Sequence, residues 1–226
     1  MAQTNNMLER LRGRLIVSCQ PVIGGPLDAP GFVAGFALAA LAGGAAGLRI
    51  EGLDNLRAVR AATPAPVIGL VKAAEPASEV YITPRTAQVA ALADAGADIV
   101  AFDATRRPRP EPVAALVAAC HARGVLAMAD CASLADAAAA VAAGADCCGS
   151  TLAGYTGGPV PDAPDFALLA ALAALPRPAI AEGRIRTPAQ AAAALRTGAF
   201  AVVVGSAITR VEHITSWFAH ALAGAA

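Results

Sequence analysis

Two charged side chains in this 226-residue sequence follow unbroken apolar runs and could carry chemistry. Lys72 ends the run "PVIGLVK" (66–72), and Glu182 follows "PAIA" (178–181). A charge at such a position is costly unless it is paired or used. Burial or neighbouring cations can lower the pKa of a lysine until it acts as a base, and a carboxyl group can serve as its acid or base partner. Lys72 and Glu182 could therefore act as acid and base partners, and two such groups on opposite sides of one carbon atom are what moving a proton from one face to the other requires.

The chain that must position these residues alternates short apolar runs with alanine- and leucine-rich segments of helical spacing. The runs are continuously apolar, as in a parallel sheet buried on both faces, and they occupy 14–20, 46–51, 66–72, 98–105, 124–130, 145–152, 178–184 and 200–206. Helices between them end in glycines suited to a positive φ, namely Gly96, Gly124, Gly144 and Gly198. Eight strand–helix units predict an α/β fold, a single (β/α)8 barrel over 1–226, with 1–13 a poorly defined N-terminal extension or helix. The alternative, an open doubly wound sheet, requires a G-x-G-x-x-G motif that "SCQPVIGG" lacks.

The carboxyl ends of these strands are where active sites form in such barrels. Gly183 and Arg184 follow the seventh strand, and Gly205 and Ser206 follow the eighth, the two places where barrels of this type commonly bind phosphate. Glycine lets backbone N–H groups approach an anion, while a nearby arginine supplies positive charge. This part of the sequence predicts a phosphorylated small-molecule ligand.

Other charged strand-end residues have plainer interpretations. Arg49 and Glu51 could be a solvated pair at the end of the second strand, and Asp103 could cap the turn after the fourth. The arginines of "DATRRPRP" (103–110) are more typical of a solvated loop than of a binding cluster. The three histidines fall in helical segments away from the strand ends, so we expect no metal site; they are His121, His213 and His220.

Composition limits the classes of partner. Lys plus Arg and Asp plus Glu balance at 17 each, so no basic field attracts nucleic acid. The N-terminus lacks the apolar core of a signal peptide, and the longest apolar stretch, 31–50, is interrupted by five glycines. Five cysteines without a C-x-x-C pair favour free thiols in a reducing compartment. We expect a soluble cytoplasmic protein with no nucleic-acid or membrane partner.

Several segments together resemble one family. In chain order they include "LIVSCQ", "GLRIEG", "PVIGLVK", "VYITP", "MADCAS", "STLAGYT", "AIAEGRIRTP" and "VVVGSAITRVEHIT". From about Leu15 to Phe218 the sequence is similar to the N-acylmannosamine-6-phosphate 2-epimerases. The resemblance implies a phosphate-binding barrel, usually a homodimer, that converts N-acetylmannosamine 6-phosphate to N-acetylglucosamine 6-phosphate in sialic acid and amino sugar breakdown. It also implies that neither a metal nor an organic cofactor takes part.

The resemblance assigns roles to individual positions. It places proton transfer at C2 on Lys72 and Glu182. Residues that line the sugar would be Gln20, Arg49 and Asp130, and we assign Tyr155 to the substrate as well. Phosphate contacts would fall on Gly183, Arg184, Gly205, Ser206 and Arg210. Two departures from the family pattern, Ser150 in place of threonine and Val211 in place of proline, touch no proposed catalytic position.

Two other functions suit the same residues. One is a Schiff-base lyase on the same barrel with Lys72 as the covalent nucleophile. The other is a sugar-phosphate-binding protein without catalysis, although binding alone has no need for a base beside a carbonyl group. The sequence leaves open the preferred acyl group, the residue that donates the second proton and the residue that opens the sugar ring.

Overall fold

Eight parallel strands close into a barrel in which each strand pairs with its neighbours in chain order and β8 pairs with β1. The structure is a computed structural model, and it describes residues 7–157 and 159–225. The strands are β1 (Leu15–Cys19), β2 (Gly47–Glu51), β3 (Val67–Leu70), β4 (Ile99–Asp103), β5 (Leu126–Asp130), β6 (Cys147–Gly149), β7 (Ala179–Ala181) and β8 (Ala201–Val204). The predicted (β/α)8 barrel is confirmed, and each strand lies within the run that predicted it.

Helices alternate with the strands and cover the outside of the barrel. They are α1 (Pro30–Ala42), α2 (Leu53–Ala62), α3 (Thr86–Asp94), α4 (Val113–Ala122), α5 (Leu134–Ala142), α6 (Phe166–Ala173), α7 (Pro188–Arg196), α8 (Ser206–Thr209) and α9 (Val211–Ala223). The four glycines expected to end helices all have positive φ, at 99° for Gly96, 70° for Gly124, 97° for Gly144 and 96° for Gly198. The chain reverses there at little steric cost because glycine has no Cβ.

Side chains alternate between the barrel interior and the layer under the helices, since successive residues of a strand point to opposite faces. The neighbouring thiols of β6 show this directly. Cys147 packs with the interior cluster around Ile16 and Met128, whereas Cys148 packs with the outer cluster that includes Leu116. Both faces are therefore apolar, which is why the strands read as continuously apolar runs. All five cysteines are free and buried.

Residues near the N-terminus close the amino-terminal end of the barrel. Residues 7–9 are helical, Leu11 is fully buried in the interior cluster, and the backbone N–H of Gly13 donates to the carbonyl of Phe200 at 2.7 Å. Residues 1–6 of the predicted extension lie outside the described residues. Because this end is filled, the interior opens toward the carboxyl ends of the strands.

Within residues 7–157 and 159–225, none of the helices combines the length and the apolar character needed to cross a membrane.

Candidate active site

A cavity of about 420 Å³ opens at the carboxyl ends of the strands. Strand parity explains its lining, because Ser18, Arg49 and Val203 occupy inward-facing strand positions, and Lys72 and Glu182 continue that inward register just beyond β3 and β7. All of the predicted site residues except Asp130 line it, namely Gln20, Arg49, Lys72, Tyr155, Glu182, Gly183, Arg184, Gly205, Ser206 and Arg210. The two proposed proton-transfer groups therefore share one cavity, although 110 residues of chain separate them.

Asp130 lies behind the cavity wall and is bonded to Arg49. The Nη2 atom of Arg49 is 2.6 Å from one carboxylate oxygen of Asp130, and its Nη1 atom donates to the other at 3.2 Å. The same Nη1 is 3.2 Å from Oε2 of Glu182. The side chains of Arg49 and Asp130 are 1% and 0% exposed, so this is a buried, two-pronged ion pair that fixes the guanidinium at the cavity floor.

Thr151 connects the two carboxyl groups. Its hydroxyl donates to Oδ1 of Asp130 at 2.7 Å and lies 3.3 Å from Oε2 of Glu182. Gly149 makes room for this contact, because a Cβ there would meet Cε of Met128 at 2.7 Å and Oγ1 of Thr151 at 2.8 Å. The backbone of Glu182 is fixed as well, since its N–H donates to the Ser150 hydroxyl at 3.0 Å and its carbonyl accepts from that hydroxyl at 2.8 Å.

The ionisation of Glu182 is poised near neutrality. Burial raises its pKa, Arg49 opposes that shift, and the negative charge of Asp130 adds to it, so the pKa of Glu182 lies at about 7. Its side chain is 14% exposed, which leaves it open to the cavity. A carboxyl group with this pKa exchanges a proton readily at neutral pH, as a general acid or base must.

Lys72 is held by its backbone at the start of the β3–α3 loop. Its N–H donates to Oε1 of Glu51 at 3.1 Å, and it pairs with Ile82 across an antiparallel bridge. Next to it, Thr83 accepts from the N–H of Val71 through Oγ1 and donates to the Val71 carbonyl. Burial lowers the pKa of Lys72, and the nearby Arg210 and Arg49 lower it further. This ammonium group therefore loses its proton more easily than an ordinary lysine.

The predicted phosphate residues lie together at one side of the cavity. Gly183 has a φ of 108°, a conformation that glycine adopts at little cost, and Arg184 follows with a φ of 56°. The guanidinium of Arg184 is used within the protein, because Nε donates to the Ala163 carbonyl at 2.8 Å and Nη1 donates to the Ala153 carbonyl. Its side chain thus holds the β6–α6 loop as well as lining the cavity.

The sequence and the fold both match known proteins. Residues 33–224 match the family model described as "Putative N-acetylmannosamine-6-phosphate epimerase" (NanE). The chain belongs to this epimerase family. The resemblance found in the sequence is therefore confirmed.

Relatives in the family match nearly the whole chain. A Klebsiella pneumoniae protein named "Putative N-acetylmannosamine-6-phosphate 2-epimerase" is 56% identical over 216 residues, which are 96% of this chain and 92% of that protein. A Yersinia pseudotuberculosis protein of the same name is 53% identical over 222 residues, 98% of this chain and 95% of that protein. The solved N-acetylmannosamine-6-phosphate 2-epimerase of Clostridium perfringens superposes with a TM-score of 0.92 at 41% identity and 95% coverage of both chains.

One of the plainer interpretations of strand-end residues is wrong. Arg49 and Glu51 do not form a solvated pair, because Arg49 is buried against Asp130 and Glu51 binds the backbone of Lys72. The arginines after β4 belong to a loop outside the cavity, and Arg106 is exposed, but two of them also make contacts within the protein. Arg107 pairs with Asp103 at 2.7 Å, and Arg109 donates to three backbone carbonyls.

The capping role of Asp103 is confirmed. Its Oδ1 accepts from the N–H and the hydroxyl of Thr105, at 2.9 and 2.7 Å. Asp103, Arg107 and Arg109 therefore brace the β4–α4 loop.

Several cavity residues were missed by the sequence analysis, and four of them carry aromatic or charged side chains or an imidazole. They are Tyr81, Arg186, His213 and Trp217. His213 is helical as predicted, but α9 folds back over the carboxyl ends of the strands, so the expectation that this histidine lies away from them is wrong. A helix that follows the last strand carries no local signal of where it will pack. Tyr81 likewise reaches the cavity through a hairpin that begins at Lys72 and was not predicted.

Across 7–157 and 159–225, no group of three or more His, Cys, Asp or Glu side chains is placed to hold a metal ion. Reaction without a metal or an organic cofactor stays a prediction for this member of the family.

Proposed function

We propose that the protein inverts C2 of an N-acylmannosamine 6-phosphate to give the N-acylglucosamine 6-phosphate. The observation that carries this proposal is that Lys72 and Glu182, whose pKa values shift toward each other, line one cavity in a member of the epimerase family. Inverting a carbon by proton transfer requires one group to remove a proton and a second group to return one on the opposite face. A lysine and a carboxyl group from different strands supply that pair.

The reaction proceeds through the open-chain aldehyde of the sugar. The base takes the proton from C2, and the electrons of the C–H bond move into the C1–C2 bond while the carbonyl oxygen at C1 takes the negative charge. The conjugate acid across the cavity then delivers a proton to the other face of C2. In one direction Glu182 is the base and the Lys72 ammonium is the acid, and in the reverse direction these roles exchange. The form with the Glu182 carboxylate and the Lys72 ammonium holds the same number of protons as the form with a protonated Glu182 and a neutral Lys72, so each direction leaves the enzyme ready for the other.

Arg49 stabilises the oxygen that becomes negative. Burial lowers its pKa, but the carboxylates of Asp130 and Glu182 more than offset this and raise the pKa of Arg49. It therefore stays positive throughout the reaction. Because Asp130 already fixes the guanidinium, little reorganisation is needed as the charge develops, which is the condition under which electrostatic stabilisation is most effective.

The phosphate anchors the substrate at the far side of the cavity. We assign it to the backbone of Gly183 and Gly205, the Ser206 hydroxyl and the guanidinium of Arg210. The Nε atom of Arg210 donates to the Gln20 carbonyl at 2.8 Å, so the outer edge of its guanidinium is positioned rather than mobile. Binding of this remote group holds C2 between Lys72 and Glu182, and so contributes to the rate as well as to affinity.

Proton NMR tests the proposal. The purified protein is incubated with N-acetylmannosamine 6-phosphate in D₂O, and we expect N-acetylglucosamine 6-phosphate that carries deuterium at C2. Incubation with borohydride should give no stable adduct on Lys72. Cleavage of the sugar together with such an adduct would support the Schiff-base lyase instead, and binding without turnover would support a sugar-phosphate-binding protein.

Variants identify the two proton-transfer groups. We expect Lys72→Ala and Glu182→Gln each to lose at least about 100-fold in kcat, as is typical of removing a general acid or base, while both still bind the substrate. Glu79→Gln is the control, because the Glu79 side chain is 81% exposed and lies outside the cavity. Full activity in either of the first two variants would remove that residue from the mechanism.

The setting of the reaction is part of the proposal. We place it in the breakdown of sialic acid and amino sugars in the cytoplasm. The five free, buried thiols favour the cytoplasm, because such thiols persist in reducing compartments. We further propose a homodimer. Helix α9 has no fully buried side chain in the single chain and exposes the apolar side chains of Phe218 at 69% and Leu222 at 73%, which a second subunit would cover. Light scattering during size-exclusion chromatography, repeated with Phe218→Glu, tests that assembly.

A further inference from the structure

Arg186 lies at the mouth of the cavity, two residues beyond Arg184, and the assignments above give it no role. It lines the same cavity as Gly183, Ser206 and Arg210, and it follows β7 in the same loop as Gly183. The guanidinium carbon lies 5.0 Å from the centre of the Trp217 ring. The two side chains come from separate elements, since Arg186 precedes α7 and Trp217 belongs to α9. Their stacking connects the loop after β7 to the helix that covers the cavity.

The other arginines of the cavity are already engaged. Arg49 is bound to Asp130, Arg184 donates to two backbone carbonyls, and Arg210 uses its Nε for Gln20. The side chain of Arg186 makes none of the hydrogen bonds or ion pairs found among residues 7–157 and 159–225. Its backbone N–H donates to Gln190, which fixes the main chain but leaves the guanidinium donors unused.

Stacking on an aromatic ring uses the flat face of a guanidinium and leaves its edge, which carries the N–H donors, available. A phosphate monoester is the kind of anion that this edge binds with two parallel hydrogen bonds. We propose that Arg186 is a further phosphate-binding residue of this site, held in place by Trp217, and that the pair makes the enzyme selective for a phosphorylated sugar. This inference rests on the proposed function, because it concerns the same substrate.

Trp217 offers a direct measurement, since it is the only tryptophan in the sequence. Inorganic phosphate is titrated into the protein while tryptophan fluorescence is recorded. We expect the emission to change on binding, and the apparent dissociation constant to rise about 10-fold in Arg186→Gln, the order expected for losing a charged hydrogen bond at a partly exposed position. Arg196→Gln is the matched control, because it removes the same charge from an exposed residue at the end of α7.

Kinetics provide the second measurement. We expect Arg186→Gln to raise KM for N-acetylmannosamine 6-phosphate about 10-fold and to leave kcat within about 2-fold, since the residue contacts the anchor and not the reacting carbon. Trp217→Leu should raise KM by less, because the guanidinium keeps its charge but loses its support. Unphosphorylated N-acetylmannosamine should be turned over equally by the wild type and by Arg186→Gln.

The inference is wrong if phosphate affinity and KM in Arg186→Gln match those of Arg196→Gln, or if kcat falls while KM stays unchanged. These outcomes are separate from the proposed function. Phosphate titration needs no turnover, so a protein that fails to epimerise could still show the 10-fold loss of phosphate affinity. An active epimerase with unchanged phosphate affinity would refute the role of Arg186 alone.

Discussion

Replacing Asp130 by asparagine removes one negative charge beside Glu182 while keeping a side chain of nearly the same shape. The Nη1 atom of Arg49 is 3.2 Å from an oxygen of each carboxyl group, which places the two negative charges near each other in a buried site. The charge of Asp130 disfavours the ionised form of Glu182 and so raises its pKa. Without that charge the pKa of Glu182 falls, and Arg49 then favours its carboxylate more strongly.

The size of the effect follows from Coulomb's law. Two unit charges about 5 Å apart interact by roughly 3 kcal/mol at an effective dielectric constant of about 20, which corresponds to about 2 pKa units. Because the carboxamide introduced by Asp130→Asn still contacts Arg49, we expect the pKa of Glu182 to fall by about 1–2 units from its value of about 7 in the wild type.

The pH dependence of kcat reports this shift. The active form has the Glu182 carboxylate and the Lys72 ammonium, so activity rises as Glu182 ionises and falls as Lys72 loses its proton. We expect the acid limb of the kcat–pH profile of Asp130→Asn to move from near pH 7 to lower pH by about 1–2 units. This shift is expected even if the maximum kcat of the variant is lower. Measuring kcat at saturating substrate keeps the ionisation of the free sugar phosphate out of the profile.

The matched control is Asp98→Asn. Asp98 is also an aspartate paired with an arginine at 2.6 Å, the same distance as in the Asp130 pair, but it lies at the amino-terminal end of β4. This variant loses an ion pair without changing the charge near Glu182, so its acid limb should stay near pH 7. An acid limb that stays in place or moves to higher pH in Asp130→Asn would refute the electrostatic coupling described here.

Three further changes test the same site. In chemical denaturation without substrate, Glu182→Gln should raise the free energy of unfolding by roughly 3 kcal/mol at pH 8 and by about 1 kcal/mol or less at pH 5. The reason is that the pKa of Glu182 is raised in the folded state, so the wild type loses stability as pH rises through about 7, whereas the glutamine does not ionise. Thr151→Val should lower kcat about 10-fold, while Thr151→Ser, which keeps the hydroxyl bonded to Asp130, should stay near wild type; equal activities would leave the hydroxyl without a role. Gly149→Ala should destabilise the protein by about 1–3 kcal/mol in thermal unfolding and reduce kcat, because its methyl group would clash with Met128 and displace Thr151; an unchanged melting temperature would show that the site adapts.

Most of the scaffold could be predicted from the sequence, because its signals are local. A strand buried on both faces must be apolar throughout, and a helix that reverses direction in one residue favours glycine. In such a barrel the carboxyl ends of the strands form the active site, so Lys72 and Glu182 could be assigned to one site without coordinates. The charge that follows an apolar run was the informative feature, since such a charge is costly unless it is used.

The partners of each charge were not predictable in the same way. Arg49 lies 81 residues from Asp130, and nothing near Arg49 in the sequence distinguishes a buried pair from a solvated one. Only closure of the barrel brings β2 opposite β5, excludes water from the pair and makes its geometry part of the site. The pKa of Glu182 depends on the same closure, because it is the sum of burial and of charges from other strands.

The cavity mouth was decided by tertiary packing alone. His213 and Trp217 reach the site because α9 covers the carboxyl ends of the strands, and Arg186 acquires a partner only when that helix is in place. Helical periodicity specifies which residues share a face but not the surface against which that face packs. The sequence by itself therefore determined the barrel and indicated the proposed proton-transfer pair. The tertiary structure determined the ion pairs behind the site and the side chains at its mouth, because these depend on contacts between elements distant along the chain.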